Sequence, residues 1–410
     1  MQEPDIMLDA SRNALGLTAE LPDGERRARW KRLDEALLRN GVDVALVFGS
    51  PIEPTWIRYL VNYVHPFILD ESFAVFRPGR EEPLLLIDRP WFVDHARQMT
   101  HLSDIRLFPY VEFQWAFDQL VEQFAGLFHE LESSRGRIGI CHLDMPTVYY
   151  RALMKAAPHA ELVDITAVLN DLLEHKSPYD QQMIRRAATI ADAGMMAALK
   201  TCGAGVPEYR VGLAAEEAMA AAGGEFGTGV TVRTHIYVAS SSKIRSNVRP
   251  YKYTARRLEK GDMFFIDLSA SFRGYYTDFC RTVVVSAPSP TQRRMYDCTM
   301  ATHQRMMEAM RPGISGDELF RIGRKVATEW GFQEADINNV WLGHATGIIL
   351  SEPPFFAEGE KRVLRVNTFA NIEPGIFIPE FGSTSVEDTL WITDDGTELV
   401  TQTPRELHVA

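Results

Sequence analysis

The stretch Gly261–Arg281, GDMFFIDLSASFRGYYTDFCR, constrains the fold more than any other part of the chain. Phe264-Phe265-Ile266 is a short β-rich block ending on Asp267, and Tyr275-Tyr276 lead into Asp278. Thr282 to Val285 then continue as an apolar strand, and Arg273-Gly274 in between is turn chemistry. The pattern predicts two antiparallel strands with a short connection. Both carboxylates then lie side by side on the floor of a sheet. A buried carboxylate pair is costly unless a proton or a cation neutralises it. The plain alternative is two solvated aspartates at strand ends, and residues further along the chain decide between the two.

Bulk properties narrow the class. A chain of 410 residues accommodates two or three domains. Its 46% hydrophobic and 24% charged residues are ordinary for a soluble globular protein. A net charge of −12 and a pI near 5.5 argue against an electrostatic grip on nucleic acid or an anionic membrane. No segment approaches the ~20 apolar residues that span a bilayer, and the N-terminus lacks a signal-peptide apolar core. A cytoplasmic protein is expected. Cys141, Cys202, Cys280 and Cys298 are far apart and form no CXXC spacing, so four ordinary buried thiols are expected rather than structural zinc or a disulfide framework.

Read in order, residues 1 to about 22 are polar and irregular. Gly24 to Asn40 has helical spacing at Trp30, Leu33, Ala36 and Leu37, with Gly41 as the stop. The apolar blocks Val42–Phe48, Phe73–Phe76, Leu84–Ile87 and Ile138–Cys141 read as strands, with helical stretches at Phe113–Leu131 and Thr147–Ala156. Strands alternating with helices imply an α/β unit around one mixed or parallel sheet. It has no phosphate-cradling glycine loop. Tyr63 to Phe67 is a candidate loop for a neighbouring active site, or else part of the local core.

A boundary falls near Glu174–Pro178, dividing the chain into domains 1–174 and 175–410. Ser177-Pro178 starts a long helix to Thr201, and a second runs from Glu208 to Ala222, ended by Gly223-Gly224. Val230–Val232 and Ile236–Ala239 read as strands, followed by a Ser/Arg-rich loop from Ser240 to Arg249. Helices at Pro290–Met310 and Gly316–Trp330 precede a tail of strands at Val340–Leu342, Asn367–Ile372, Gly375–Ile378 and Asp388–Ile392. Two helix pairs beside antiparallel strands make an α+β domain.

Three further residues complete a constellation. His344 lies in LGHATG, Glu373 in NIEPG just before a Pro-Gly turn, and Glu387 in SVEDT at the start of an apolar strand. With Asp267 and Asp278 they make four carboxylates and one imidazole, all read at strand ends or turns of one domain. Oxygen-rich ligation with a single nitrogen suits two divalent ions of Mn, Fe, Co or Zn.

In order and in flanking motif, these five positions resemble the pita-bread metalloenzyme family of Xaa-Pro aminopeptidases, prolidases, methionine aminopeptidases and creatinase. The resemblance covers nearly the whole chain and implies a pita-bread catalytic domain preceded by a creatinase/prolidase-type α/β N-terminal domain. It also implies that Asp267 binds one metal through both oxygens, that Asp278 and Glu387 bridge the two ions, and that His344 and Glu373 complete the other side. A bridging water becomes the nucleophile and Glu373 the proton shuttle. The activity implied is hydrolysis of a C–N bond by a homodimer, the N-terminal domain covering the partner's site.

The chain departs from that pattern where a peptide would be handled. Position 351 is Ser351, where family peptidases carry a histidine; the loop Ser246–Tyr251 has no histidine; Ser385 replaces an arginine. Each lost donor removes on the order of 2–4 kcal/mol of transition-state stabilisation. Arg245, Arg249 and Tyr251 are candidates to grip the carboxylate of a small substrate, against the alternative of a solvated basic loop. His235 is a candidate replacement histidine or a core residue, and Trp341, Phe355 and Phe356 are candidate pocket walls or core. The substrate is expected to be a small carboxylate-bearing molecule or a dipeptide. The readings kept open are an Xaa-Pro dipeptide, a small amidino or cyclic-amidine acid of the kind taken by creatinase and ectoine hydrolase, a lyase acting on a small zwitterion, and a catalytically silent binding protein.

Overall fold

The computed structural model describes residues 21–110, 116–141, 145–225, 235–238, 253–333, 336 and 340–410. The chain divides into two compact units that meet between Leu173 and Glu174.

The first unit is built on a six-stranded mixed sheet. Its strands are β1 (Val44–Gly49), β2 (Ser72–Phe76), β3 (Leu84–Ile87), β4 (Ile105–Leu107), β5 (Arg137–Ile140) and β6 (Glu161–Asp164), in the order β4-β3-β2-β1-β5-β6. β1 pairs antiparallel with β2 and parallel with β5. Every residue of β1, β2 and β3 is buried, which is why these strands read as continuous apolar runs. The helices Ala116–Glu130 and Thr147–Ala156 lay Leu120, Phe124, Phe128, Tyr149 and Leu153 on this sheet. Tyr63 is buried here, edge-on to His65, whereas Phe67 is exposed.

The second unit holds two larger sheets. One has the order β17-β9-β8-β7, from β7 (His235–Val238), β8 (Met263–Phe272), β9 (Tyr275–Val284) and β17 (His408–Val409). The other has the order β11-β10-β12-β15-β16, from β10 (Trp341–Thr346), β11 (Glu352–Ala357), β12 (Phe369–Ile372), β15 (Asp388–Ile392) and β16 (Thr397–Leu399). β13 (Gly375–Ile378) and β14 (Gly382–Ser385) form a separate hairpin. The helices are Pro178–Thr201 with Glu208–Glu225, and Pro290–Ala309 with Gly316–Glu329. Ser177, Ser289 and Ser315 each close a capping box, so three of these helices begin where a serine side chain and a residue three further on satisfy each other's backbone.

Several sequence expectations are corrected. Gly223 and Gly224 do not end their helix, which continues to Glu225. Neither takes the positive φ of a helix stop, and glycine inside a helix costs only about 1 kcal/mol. The hairpin Arg273-Gly274 is as the sequence indicates, with φ values of 54° and 89°. Its strands, however, are ten residues each, so Asp267 and Asp278 stand inside strands rather than at their ends. His344 likewise lies within β10. The strand read at Val230–Val232 lies outside the described residues, as does Ala239.

In the first unit, Asp88 and Asp70 face one arginine: Arg89 Nε lies 3.5 Å from Asp88 Oδ2 and 3.6 Å from Asp70 Oδ1. Burial pushes the Asp88 carboxyl up to about 7. A raised carboxyl pKa favours the folded state at low pH, and that contribution is lost as pH climbs from the unfolded value near ~4 through the folded one. Thermal melts of D88N and wild type at pH 5 and pH 8 are therefore expected to differ more at pH 8, in favour of D88N. Parallel pH profiles for the two proteins would contradict this.

Candidate metal centre

The hairpin β8–β9 sets the floor of the site. Asp267 pairs across with Cys280, and Ser269 with Asp278. Asp267 and Asp278 are thus diagonal neighbours on one face of the sheet, not directly opposite each other. β9 is stapled to β15 of the other sheet: Asp278 N donates to Thr389 Oγ1 at 3.2 Å, and that hydroxyl donates to the Asp278 carbonyl at 2.9 Å. Glu387, one residue before β15, donates its backbone N–H to the Cys280 carbonyl at 3.2 Å. The staple carries Glu387 over the aspartates.

β10 and β12 supply the remaining side. Their register places His344 opposite Asn371, and Glu373, just past β12, donates its N–H to the Leu342 carbonyl at 3.0 Å. Single oxygen or nitrogen atoms of Asp278, His344 and Glu387 lie within 4.8 Å of one another, and all three residues are buried. Glu373 Oε1 is 3.8 Å from His344 Nε2, and Asp278 Oδ2 is 4.0 Å from the same nitrogen. A small cleft is lined by Asp267, Cys280, Glu373 and Glu387 together. All five residues of the sequence constellation therefore gather in one place.

The electrostatics there favour a cation. Burial, and then the charges of Asp267 and Glu373, push the Asp278 carboxyl well above the ordinary carboxylate range. Burial, and then the charges of Asp278, Glu373 and Asp267, do the same to Glu387. Glu387 Oε1 is buried with no hydrogen-bond partner. Buried polar atoms are rarely left so, and an oxygen held for an ion is one physical reason. His344 complements this: its Nδ1 donates to the Ala345 carbonyl at 2.9 Å, which leaves the Nε2 lone pair facing the carboxylates. Burial lowers the His344 pKa to about 4, so the ring is neutral and fit to ligate near neutral pH. The donor set thus fits divalent ions.

Behind the site lies a brace that sequence reasoning missed. Arg281, fully buried, donates to the carbonyls of Glu387 at 2.6 Å and Cys280 at 2.8 Å, and pairs with Asp388 at 2.6 Å. His303 Nε2 stands 3.2 Å from the other Asp388 oxygen. Despite burial, Arg281 and His303 hold Asp388 below its usual range. The available signal was an arginine inside an apolar strand, a position that demands a partner.

The substrate candidates fare unevenly. Ser351 Oγ is 3.4 Å from His344 Nε2, beside the cluster. Ser385 is buried and donates to the Pro374 carbonyl, so it adds no charge where an arginine was expected. Arg245, Arg249 and Tyr251 lie outside the described residues. His235 sits on β7 opposite Ser269, and its side chain is likewise outside them. Phe356 is core, whereas Trp341 is 38% exposed and packs at 5.7 Å against Phe355.

Fold and site together define a metal-dependent hydrolase. The model for metallopeptidase family M24 matches residues 182–394, and that for the creatinase/prolidase N-terminal domain matches residues 29–172. The chain belongs to metallopeptidase family M24, with the pita-bread fold and an Xaa-Pro peptidase-like hydrolase character. A curated Xaa-Pro dipeptidase of Pyrococcus horikoshii is 31% identical over 304 residues, covering 73% of this chain and 84% of that protein. An Xaa-Pro dipeptidase of Lactobacillus delbrueckii subsp. lactis is 26% identical over 389 residues, covering 92% and 98%. The crystal structure of the prolidase from Pyrococcus horikoshii superposes with a TM-score of 0.78 at 25% identity, covering 93% of this chain and 99% of that one. No described helix is long and apolar enough to cross a membrane.

Neutralising one crowded carboxylate relieves repulsion in the metal-free protein. At pH 8 after chelation, E387Q is expected to melt above wild type, and added Mn²⁺ is expected to raise the melting temperature of wild type only. An E387Q protein that is destabilised without metal and still stabilised by Mn²⁺ would contradict the site.

Proposed function

We propose that this chain hydrolyses an amide-like C–N bond in a small, carboxylate-bearing substrate of about dipeptide size. Two divalent ions of Mn, Fe, Co or Zn are held by Asp267, Asp278, His344, Glu373 and Glu387. The observation that carries this reading is the buried, mutually repelling carboxylate group with an unpartnered oxygen on Glu387. When bound, such ions bring the pKa of a coordinated water within reach of neutrality and polarise the oxygen of the scissile group. Glu373 is the proton carrier, because its carboxylate is partly open to solvent beside His344 while Asp278 and Glu387 are more enclosed.

Residues 175–410 form the catalytic domain in this reading, and residues 1–174 the N-terminal domain of a cytoplasmic homodimer. Arg245 and Arg249, with Tyr251 and His235, are assigned to the substrate's carboxylate. Ser351 offers a hydroxyl beside His344.

Relatives named Xaa-Pro dipeptidase favour an Xaa-Pro dipeptide as substrate. Ser351 and the inward-bonded Ser385 favour a second reading, a non-peptide such as a small amidino acid, since both positions lack the charged or imidazole donor a peptide carbonyl uses. The test is an assay of the Mn²⁺-loaded protein on Gly-Pro and Ala-Pro beside a panel of small amidino acids. At least one class is expected to be hydrolysed, with E373Q lowering kcat by about 10²–10⁴. Turnover of neither by a protein that holds its ions would leave a binding protein and overturn the proposal.

A further inference from the structure

A regular strand alternates its side chains between two faces, so Trp341 and His344, three residues apart on β10, belong on opposite faces. They are not on opposite faces here. Opposite β11, Trp341 pairs with Ala357 and His344 with Phe355, so three steps along β10 match two along its neighbour. One residue is extra, the signature of a β-bulge, and a bulge re-aims the side chains that flank it. Gly343, at φ 153°, lies inside it; a Cβ there would stand 2.1 Å from the Asn371 carbonyl oxygen and 2.4 Å from Phe356 Cδ2. Only glycine fits that approach.

The consequence is that both side chains reach one oxygen. Trp341 Nε1 donates to Glu373 Oε1 at 2.5 Å, while His344 Nε2 stands 3.8 Å from the same atom. An indole N–H is a donor only and has no second role to play at this position. It satisfies one lone pair of Glu373 and limits rotation of the carboxylate. The backbone bond from Glu373 to the Leu342 carbonyl fixes the other end of the same residue.

We infer that Trp341 is a positioning residue for Glu373, its indole N–H holding the carboxylate in the orientation that binds a divalent ion. The inference rests on the reading of Glu373 as a metal ligand. Groups that orient a ligand typically change metal affinity by about 10–100-fold when removed. The hydrogen bond, not the bulk of the ring, is the operative feature.

Co²⁺ alone is the probe, titrated into chelated wild type, W341F and W341H, with bound metal measured by equilibrium dialysis and tryptophan emission followed in parallel. Phenylalanine and histidine both remove the bicyclic ring, but only histidine returns an N–H. W341F is expected to bind Co²⁺ about tenfold or more weakly, W341H to recover most of that loss, and all three to melt alike when metal-free. Wild-type emission should change on Co²⁺ addition, with that component missing in W341F. Equal affinities for wild type and W341F, or equal losses in W341F and W341H, would overturn the inference while leaving the metal site standing. A wild type that takes up no Co²⁺ would overturn both.

Discussion

Electrostatic repulsion among buried carboxylates is the constraint around which the second unit is arranged. Asp278 lies in one sheet and Glu387 just before a strand of the other, yet each has its acidity depressed by burial and by the charges of its neighbours. Such crowding opposes folding unless a proton or a cation neutralises it. The surrounding structure holds the group together against this repulsion. Thr389 ties Asp278 to β15, and Arg281 binds the Glu387 carbonyl from behind while neutralising Asp388. His344 is kept neutral by burial and turned toward the acids by the Ala345 carbonyl. The positive charge of Arg281 is thus placed behind the cluster.

Backbone irregularity does the rest. A two-residue turn at Arg273-Gly274 sets the register that makes Asp267 and Asp278 diagonal partners. A bulge at Gly343 brings His344 and Trp341 to the same acid. Each device changes which face a side chain occupies, and each depends on a glycine that tolerates an uncommon φ or a close approach.

These features explain what the sequence disclosed. Ser177-Pro178 marked a helix start because a cap and a proline act locally, within one turn. The five ligand candidates were legible because carboxylates beside apolar strands are conspicuous. Their family resemblance, matched by the models spanning residues 29–172 and 182–394, supplied the order. Gly223-Gly224 misled because a glycine stops a helix only through a left-handed φ, which sequence does not specify. The short strands Ile105–Leu107 and Glu161–Asp164 went unread because they sit at sheet edges, half exposed and without an apolar run. Trp341 remained undecided between wall and core because the bulge breaks the alternation on which such an assignment relies. Arg281 passed unnoticed because its partners, at 387, 388 and 403, are far away in the chain.

Everything rests on cations occupying the space between the two sheets. The most direct measurement is anomalous X-ray diffraction from crystals grown with Mn²⁺, recorded on both sides of the manganese edge. The account predicts two peaks inside the ring of Asp267, Asp278, His344, Glu373 and Glu387, each within about 2.0–2.4 Å of carboxylate oxygens or the His344 Nε2. An anomalous map with no density there, and these acids instead protonated and hydrogen-bonded to one another, would contradict it.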